Sequence, residues 1–344
     1  MKFTKKKIAT LNKCYALAHF EKEGQTYLIC GAEKEDPTYL FDGEGNYLET
    51  ICEGPGGNMT IEPFPGEPDV VLTTEAFYSP NNSAEAKIVI RTRTENGWTR
   101  EVLCDLPFVH RFGILCVGEK KYLIACTLKS AHAFKDDWTC PGRIWVGEID
   151  EDIRSYNSGH QLKLTALVSG LYRNHGFCKT TNNGTAAALV GADNGVYRVT
   201  APHDGEDWKV EQLLEEKTSD MLYADFDGDG EKELVVFSPF HGEKLSVYHQ
   251  SAEGFMEVWK YDHDLPFLHA IWLCEIDGRP TALVGNRQGD REFFALSYYD
   301  GAYHTDEIDR GAGATNAMTF VKDGKTVIMA ANREIDEVAL YIPE

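Results

Sequence analysis

No stretch of the 344-residue chain approaches the roughly 18 consecutive apolar residues of a membrane-spanning helix. The N-terminal Met1-Lys-Phe-Thr-Lys-Lys-Lys-Ile opens like a basic signal region. Asn12, Lys13 and His19 then interrupt the apolar run of about 7–15 residues that would have to follow. Basic charge is scarce: 34 Lys and Arg face 55 Asp and Glu, a formal net charge of −21. Such a surface repels phosphate backbones and anionic lipid, which argues against nucleic acid and membrane as partners. It serves solubility equally well and names no partner. The nine cysteines are odd in number and form no CxxC pair, so neither a disulfide framework nor a thiolate zinc site is signalled. Reduced thiols point to a cytoplasmic location. Nucleophile elbows, phosphate-cradling glycine loops and dinucleotide fingerprints are missing too, which leaves acyl transfer, kinase and nicotinamide chemistry without support.

Long amphipathic helical stretches and low-complexity linkers are also absent. The 13 prolines and 31 glycines are spread as turn punctuation, so one domain over 1–344 is expected. What is present is a recurrence of short β-branched and aromatic runs closed by turn residues: TYLICGA, DVVLTTEAF, YLIACTL, AAALVGA, ELVVFSP, TALVGNR and TVIMAAN. Each follows another apolar run opened by a polar residue: Asn12, Asn58, His110, His175, Asp220, His269 and Asn316. These openings stand 46, 52, 65, 45, 49 and 47 residues apart. A period of roughly 40–50 residues built of four short strands marks a β-propeller blade. The expected fold is therefore all-β, a seven-bladed propeller. Its last blade lacks one strand, which Lys6–Leu11 would supply to close the ring.

In a propeller the innermost strands all begin at one face of the channel, so the seven openings would be neighbours there. Their imidazoles and carboxylate, His110, His175 and His269 with Asp220, suit a divalent transition metal such as Zn, Mn or Fe. Simple capping of backbone groups and a metal-free histidine acid/base pair are the competing readings. Loops joining second to third strands share this face and bring Tyr78, His132 and His241 as proton-transfer candidates. Arg287, Arg333, Lys129 and Trp138, with Asn58 and Asn316 from the ring, are the substrate-binding candidates; the Asn-Arg pairs at Arg287 and Arg333 could equally brace blades. The 65-residue spacing is expected to place an inserted lid, Lys129 to Pro141, over the mouth.

Asp225-Phe-Asp227-Gly-Asp229-Gly-Glu231-Lys-Glu233 resembles the calcium loop of FG-GAP/VCBS propeller repeats. That resemblance implies a structural Ca²⁺ held by Asp225, Asp227, Asp229 and Glu233 and the Glu231 carbonyl, on the face opposite the histidines. Together with Arg173-Asn-His175-Gly and Ser238-Pro-Phe-His-Gly, the loop is similar to sugar-processing propellers of the aldos-2-ulose dehydratase and rhamnose–glucuronate lyase type. The resemblance implies metal-assisted β-elimination on a small keto-sugar or uronate. A non-catalytic propeller binding a protein or glycan, and a metal-free sugar isomerase or epimerase, are the alternatives.

Overall fold

The computed structural model describes residues 2–344 and is a seven-bladed β-propeller. Blade 1 runs through Cys14–Lys22, Gln25–Ala32, Thr38–Asp42 and Tyr47–Cys52; blade 2 through Ile61–Pro63, Val70–Glu75, Lys87–Thr94 and Gly97–Asp105. Blade 3 comprises Val109–Val117, Lys120–Lys129, Pro141–Ile149 and Thr165–Leu171, and blade 4 Gly176–Asn182, Thr185–Ala192, Gly195–Thr200 and Lys209–Leu214. Asp220–Ala224, Glu233–Ser238, Lys244–Ser251 and Gly254–Lys260 form blade 5. Leu268–Ile276, Arg279–Asn286, Glu292–Tyr299 and Ala302–Arg310 form blade 6. Among the described residues the helical segments are two three-residue 3-10 turns, and no helix is long and apolar enough to cross a membrane.

The apolar runs noted in the sequence are the second strands of the blades. Each is covered on both faces by neighbouring sheets, so its residues read as continuous hydrophobic runs instead of alternating. Leu123, Ile124, Ala125 and Cys126 are fully buried in succession, as are Ala282, Leu283 and Val284. The first and fourth strands carry more polar residues because one edge meets the channel and the other meets solvent. All nine cysteines are free thiols, four of them buried.

The seventh blade joins Asn316–Lys322, Lys325–Asn332 and Glu337–Pro343 to Phe3–Thr10 as its outer strand. The closing strand pairs antiparallel from Phe3 opposite Pro343 to Thr10 opposite Glu337, three residues upstream of the expected start. Lys5 ties it down by bridging Asp309 (2.8 Å) and Glu337 (2.7 Å). Leu11, expected in this strand, is instead a buried turn residue whose N–H donates to the Asp336 carbonyl (3.0 Å).

The extra length of blade 3 is divided between its two faces. Residues 130–140 form the expected insertion between second and third strands. Residues 150–164 form another between third and fourth strands, on the opposite face, packed through Ile153, Tyr156 and Leu162 into the core.

Deleting residues 2–10 is expected to leave the last blade with three strands and an unpaired edge. Thermal unfolding should then shift to markedly lower temperature, and a synthetic Phe3–Thr10 peptide added in trans should restore part of the loss. An unchanged melting curve would show that this strand does not close the ring.

Candidate functional site

The site starts from a backbone irregularity repeated in three blades. The inner strands of blades 1, 3 and 6 slip register between Cys14 and Ala16, Val109 and Arg111, and Leu268 and Ala270. Bulges of this kind re-aim the extra residue, and here they bring Tyr15, His110 and His269 together at the channel. Two positions upstream of each stands a residue in the left-handed region: Lys13 (φ 52°), Phe108 (φ 65°) and Phe267 (φ 62°). Arg173 (φ 48°) holds the same offset from His175.

The hydrogen bonds define the tautomers. His175 Nδ1 lies 2.9 Å from the Ser219 carbonyl and His269 Nδ1 lies 2.7 Å from the Thr315 carbonyl. A carbonyl only accepts, so both rings carry Nδ1–H and present Nε2 as a lone pair. The Tyr15 hydroxyl lies 3.1 Å from His269 Nε2 and 3.4 Å from His110 Nε2. It therefore donates to His269 and accepts from His110, which leaves the buried His110 Nδ1 without a partner. The His175 Nε2 is likewise buried and unpartnered. His175, His241 and His269 each offer one ring nitrogen within 4.8 Å of the other two. His110 lies tilted at 35° against His175 with ring centroids 4.5 Å apart.

Burial holds all four imidazoles neutral. His175 is pushed down to about 3 by desolvation, with the Arg111 guanidinium adding to it. His110, His241 and His269 are held well below the ordinary histidine range, first by burial and then by each other and by Arg111 or Arg287. Neutral imidazoles whose second nitrogen is held by a main-chain carbonyl have the arrangement that metal-ligating histidines adopt. The donor set fits a borderline divalent cation.

The other ring members fall elsewhere. Asp220 and Asn316 sit one residue further along their strands than Ser219 and Thr315, and meet Arg111. Arg111 donates to Asn316 Oδ1 (3.3 Å) and lies 3.9 Å from Asp220 Oδ2. Asp220 also accepts the N–H groups of Phe177 (3.2 Å) and Met221 (3.0 Å), and burial raises its carboxyl to about 6 despite Arg111. Asn58 is buried between blades against Gly31, and Asn12 is exposed, donating to Asp36. Tyr15 and Arg111 were missed by the sequence reading. The matched Phe108-Val-His110 and Phe267-Leu-His269 triplets carry the offset that would have found Tyr15.

Over the histidines lies an aromatic stack. His241 is sandwiched between Phe240 (centroids 3.9 Å) and Phe267 (4.4 Å), and Phe240 meets Trp138 edge-on (5.4 Å). Cations close both ends: Lys129 Nζ is 4.0 Å and the Arg173 guanidinium 5.2 Å from the Trp138 ring, and Arg287 is 4.4 Å from the Phe267 ring. Lys129 is fully buried and donates to the Asp137 carbonyl (2.7 Å) and Asn81 Oδ1 (3.0 Å), so its ammonium is committed to the lid. His132 packs edge-on against Phe108, and Tyr78 lines a separate 350 Å³ groove with Asn12 and Lys34. Among the described residues neither makes a hydrogen bond or ring contact with the histidine cluster.

Both predicted arginines are used in bracing. Arg287 pairs with Glu334 (2.7 Å), which also pairs with Arg333 (3.0 Å), and Arg333 reaches Glu33 of blade 1. The chain of charges stitches blades 6, 7 and 1 across the closing seam. Arg287 also borders a 270 Å³ pocket with Phe267, Gln288, Gly289, Arg291 and Glu334. There Arg291 reaches only the Gly311 carbonyl (3.5 Å) among the described residues.

The acidic loop joins the first two strands of blade 5, opposite the histidines. Asp225 turns both oxygens onto the loop's own Gly228 and Gly230 N–H groups (2.7 and 3.0 Å). Asp227 and Asp229 accept the N–H groups of Asp229 and Glu231 in turn, and Glu233 is fully buried.

No family model and no curated protein matches the chain. Among solved structures it is similar to Trypanosoma rangeli sialidase in complex with sialic acid, at 11% identity and a TM-score of 0.48. That alignment covers 95% of this chain and 59% of the sialidase chain, so the chain spans about three fifths of that protein's length.

Glu334→Gln is expected to cost about 2 kcal/mol, short of the ~3–5 kcal/mol of a fully buried pair, by leaving two clustered arginines without their shared carboxylate. Burial alone would raise the Glu334 carboxyl, but its bonds to Arg287 and Arg333 hold it below the ordinary range. A depressed carboxylate stabilises above its unfolded pKa, and that stability is lost as pH falls through the folded value. Chemical denaturation from neutral to acid pH should therefore show a shallower acid decline in Glu334→Gln. Parallel curves would contradict the pairing.

Proposed function

We propose that the channel mouth is a divalent-metal centre performing carbon–oxygen bond elimination on a small, anionic, sugar-derived keto acid or uronate. The observation that carries this reading is the convergence of His175, His241 and His269, neutral and with two of the three tautomers held by main-chain carbonyls. A divalent cation held there would polarise the substrate's carbonyl or carboxylate and acidify the neighbouring C–H.

The chain's own groups divide the remaining work. His110 Nδ1, buried and unpartnered, is placed to take the proton from carbon. Its Nε2–H donates to the Tyr15 oxygen. With His269 Nε2 turned to the ion, the Tyr15 proton now given to that nitrogen would be free to pass to the departing oxygen as the C–O bond breaks. Tyr15 is held protonated, because burial raises its phenol to about 12. His241 is here a ligand in place of a proton-transfer group. Tyr78 and His132, which make no hydrogen bond or ring contact with the cluster among the described residues, are given no part in the proposed reaction. Arg291 is the cation free to orient a substrate carboxylate, with Arg287 beside it in the pocket next to the Phe267–His241 stack. The Tyr15 bridge favours one second reading, a metal-free isomerase or epimerase using His110 and His269 as its acid/base pair.

Elemental analysis of native protein should find a near-stoichiometric transition metal that a His175→Ala/His269→Ala variant loses. Native protein should convert a keto-sugar or uronate to a conjugated, ultraviolet-absorbing product, and chelation should abolish this. Arg291→Ala should raise KM about tenfold or more with little change in kcat, as loss of one charged contact predicts. Turnover that survives full chelation would replace the lyase with the metal-free reading, and absence of both metal and turnover would overturn both.

A further inference from the structure

We propose that the acidic loop of blade 5 is a second, independent metal site, built for a borderline divalent cation such as Zn²⁺ by Asp227, Asp229, Glu233 and His249. His249 is the residue that changes the chemistry. It comes from the third strand of the blade, outside the loop motif, and its Nε2 lies 2.9 Å from Asp229 Oδ2 and 3.5 Å from Glu233 Oε1. One donor atom from each of the four residues lies within 4.8 Å of the other three. A tetrahedral ion with bonds of about 2.0–2.2 Å gathers its donors inside such a span.

Glu233 shows that the cluster faces something other than itself. The side chain is fully buried, and its Oε2 accepts the Phe226 N–H (2.6 Å). Its Oε1 is buried too and has no hydrogen-bond partner. Its neighbour His249 Nε2, at 3.5 Å, is at ion-pair distance without making a hydrogen bond. A buried carboxylate oxygen left so is costly, and a cation shared with Asp227, Asp229 and His249 would satisfy it.

The set departs from the oxygen-only shell of a calcium loop. Calcium takes six to eight hard oxygen donors and leaves imidazole aside, whereas zinc and its neighbours accept nitrogen and carboxylate together at low coordination number. Asp225, the first position of the loop, has both oxygens turned onto Gly228 and Gly230. His249, and not Asp225, belongs to the set whose donor atoms share the common 4.8 Å span. A cation here would cross-link the first hairpin of the blade to its third strand, on the face away from the channel histidines.

The test is titration of the metal-stripped native chain with Zn²⁺, Co²⁺ and Ca²⁺ separately, read by calorimetry, melting temperature and the Co²⁺ visible spectrum. Zn²⁺ should raise the melting temperature and occupy one site that survives in a His175→Ala/His269→Ala variant. His249→Ala and the near-isosteric Glu233→Gln should each weaken that site by about tenfold or more, an effect at least as large as losing a supporting contact to a ligand. Tighter binding of Ca²⁺ than Zn²⁺, unaffected by His249→Ala, would restore the all-oxygen site and overturn the proposal. Failure of any ion to bind away from the channel histidines would overturn it as well. Because the readout subtracts the channel site, either result stands apart from the fate of the proposed lyase.

Discussion

Every four-stranded sheet in this protein must have both faces covered by another sheet, and the rest of the structure follows from that requirement. Seven sheets packed face to face around an axis can satisfy it only as a closed ring, because an open ring exposes two apolar faces. Closure forces the inner strands together at one end. Tyr15 thereby touches His110, 95 residues away, and His269, 254 residues away. No local propensity could assemble such a group; the site is a by-product of how the core is covered.

The electrostatics of the mouth run against the protein's overall charge. A chain with a net charge of −21 keeps two arginines beside three buried imidazoles and the half-buried His241, and each arginine is matched by one carboxylate. Arg111 faces Asp220, and Arg287 faces Glu334. The imidazoles thus remain uncharged while the local field stays near balance, the condition under which ring nitrogens can serve as ligands or bases. The aromatic stack of Trp138, Phe240, His241 and Phe267 limits water above them, which strengthens every polar contact underneath.

The blade repeat was legible because second strands buried on two faces cannot alternate, so runs such as YLIACTL and TALVGNR stand out at a steady period. His110, His175 and His269 were legible for the same reason, being polar residues at the boundary of such runs. Tyr15 was not, because Asn12 is the first polar residue there and drew the alignment three positions too early. Asp220 and Asn316 were displaced by one, which at a strand's period of two is enough to move a side chain from the axis into the neighbouring layer. Arg287 and Arg333 were visible as a repeated Asn-Arg pair, but their partners Glu334 and Glu33 come from other blades, and sequence does not weigh a cross-blade ion pair against a substrate. His249 stood outside the acidic motif for a similar reason: it joins the loop through the sheet and not through the chain.

The seam at the last blade also dates the fold. Phe3–Thr10 precedes its partner Glu337–Pro343 by more than 320 residues of chain and is therefore made well before it. Six blades can stack as they are synthesised, each on the one before. Throughout that time the lysine-rich first strand (Thr-Lys-Lys-Lys-Ile) has no ladder to join, and its charges keep it from pairing with the wrong edge. Locking the ring has to wait for Glu337–Pro343, and it is a step of long sequence separation and slow search. Until it happens the blades form an open arc, and nothing yet holds Tyr15 of blade 1 against His269 of blade 6.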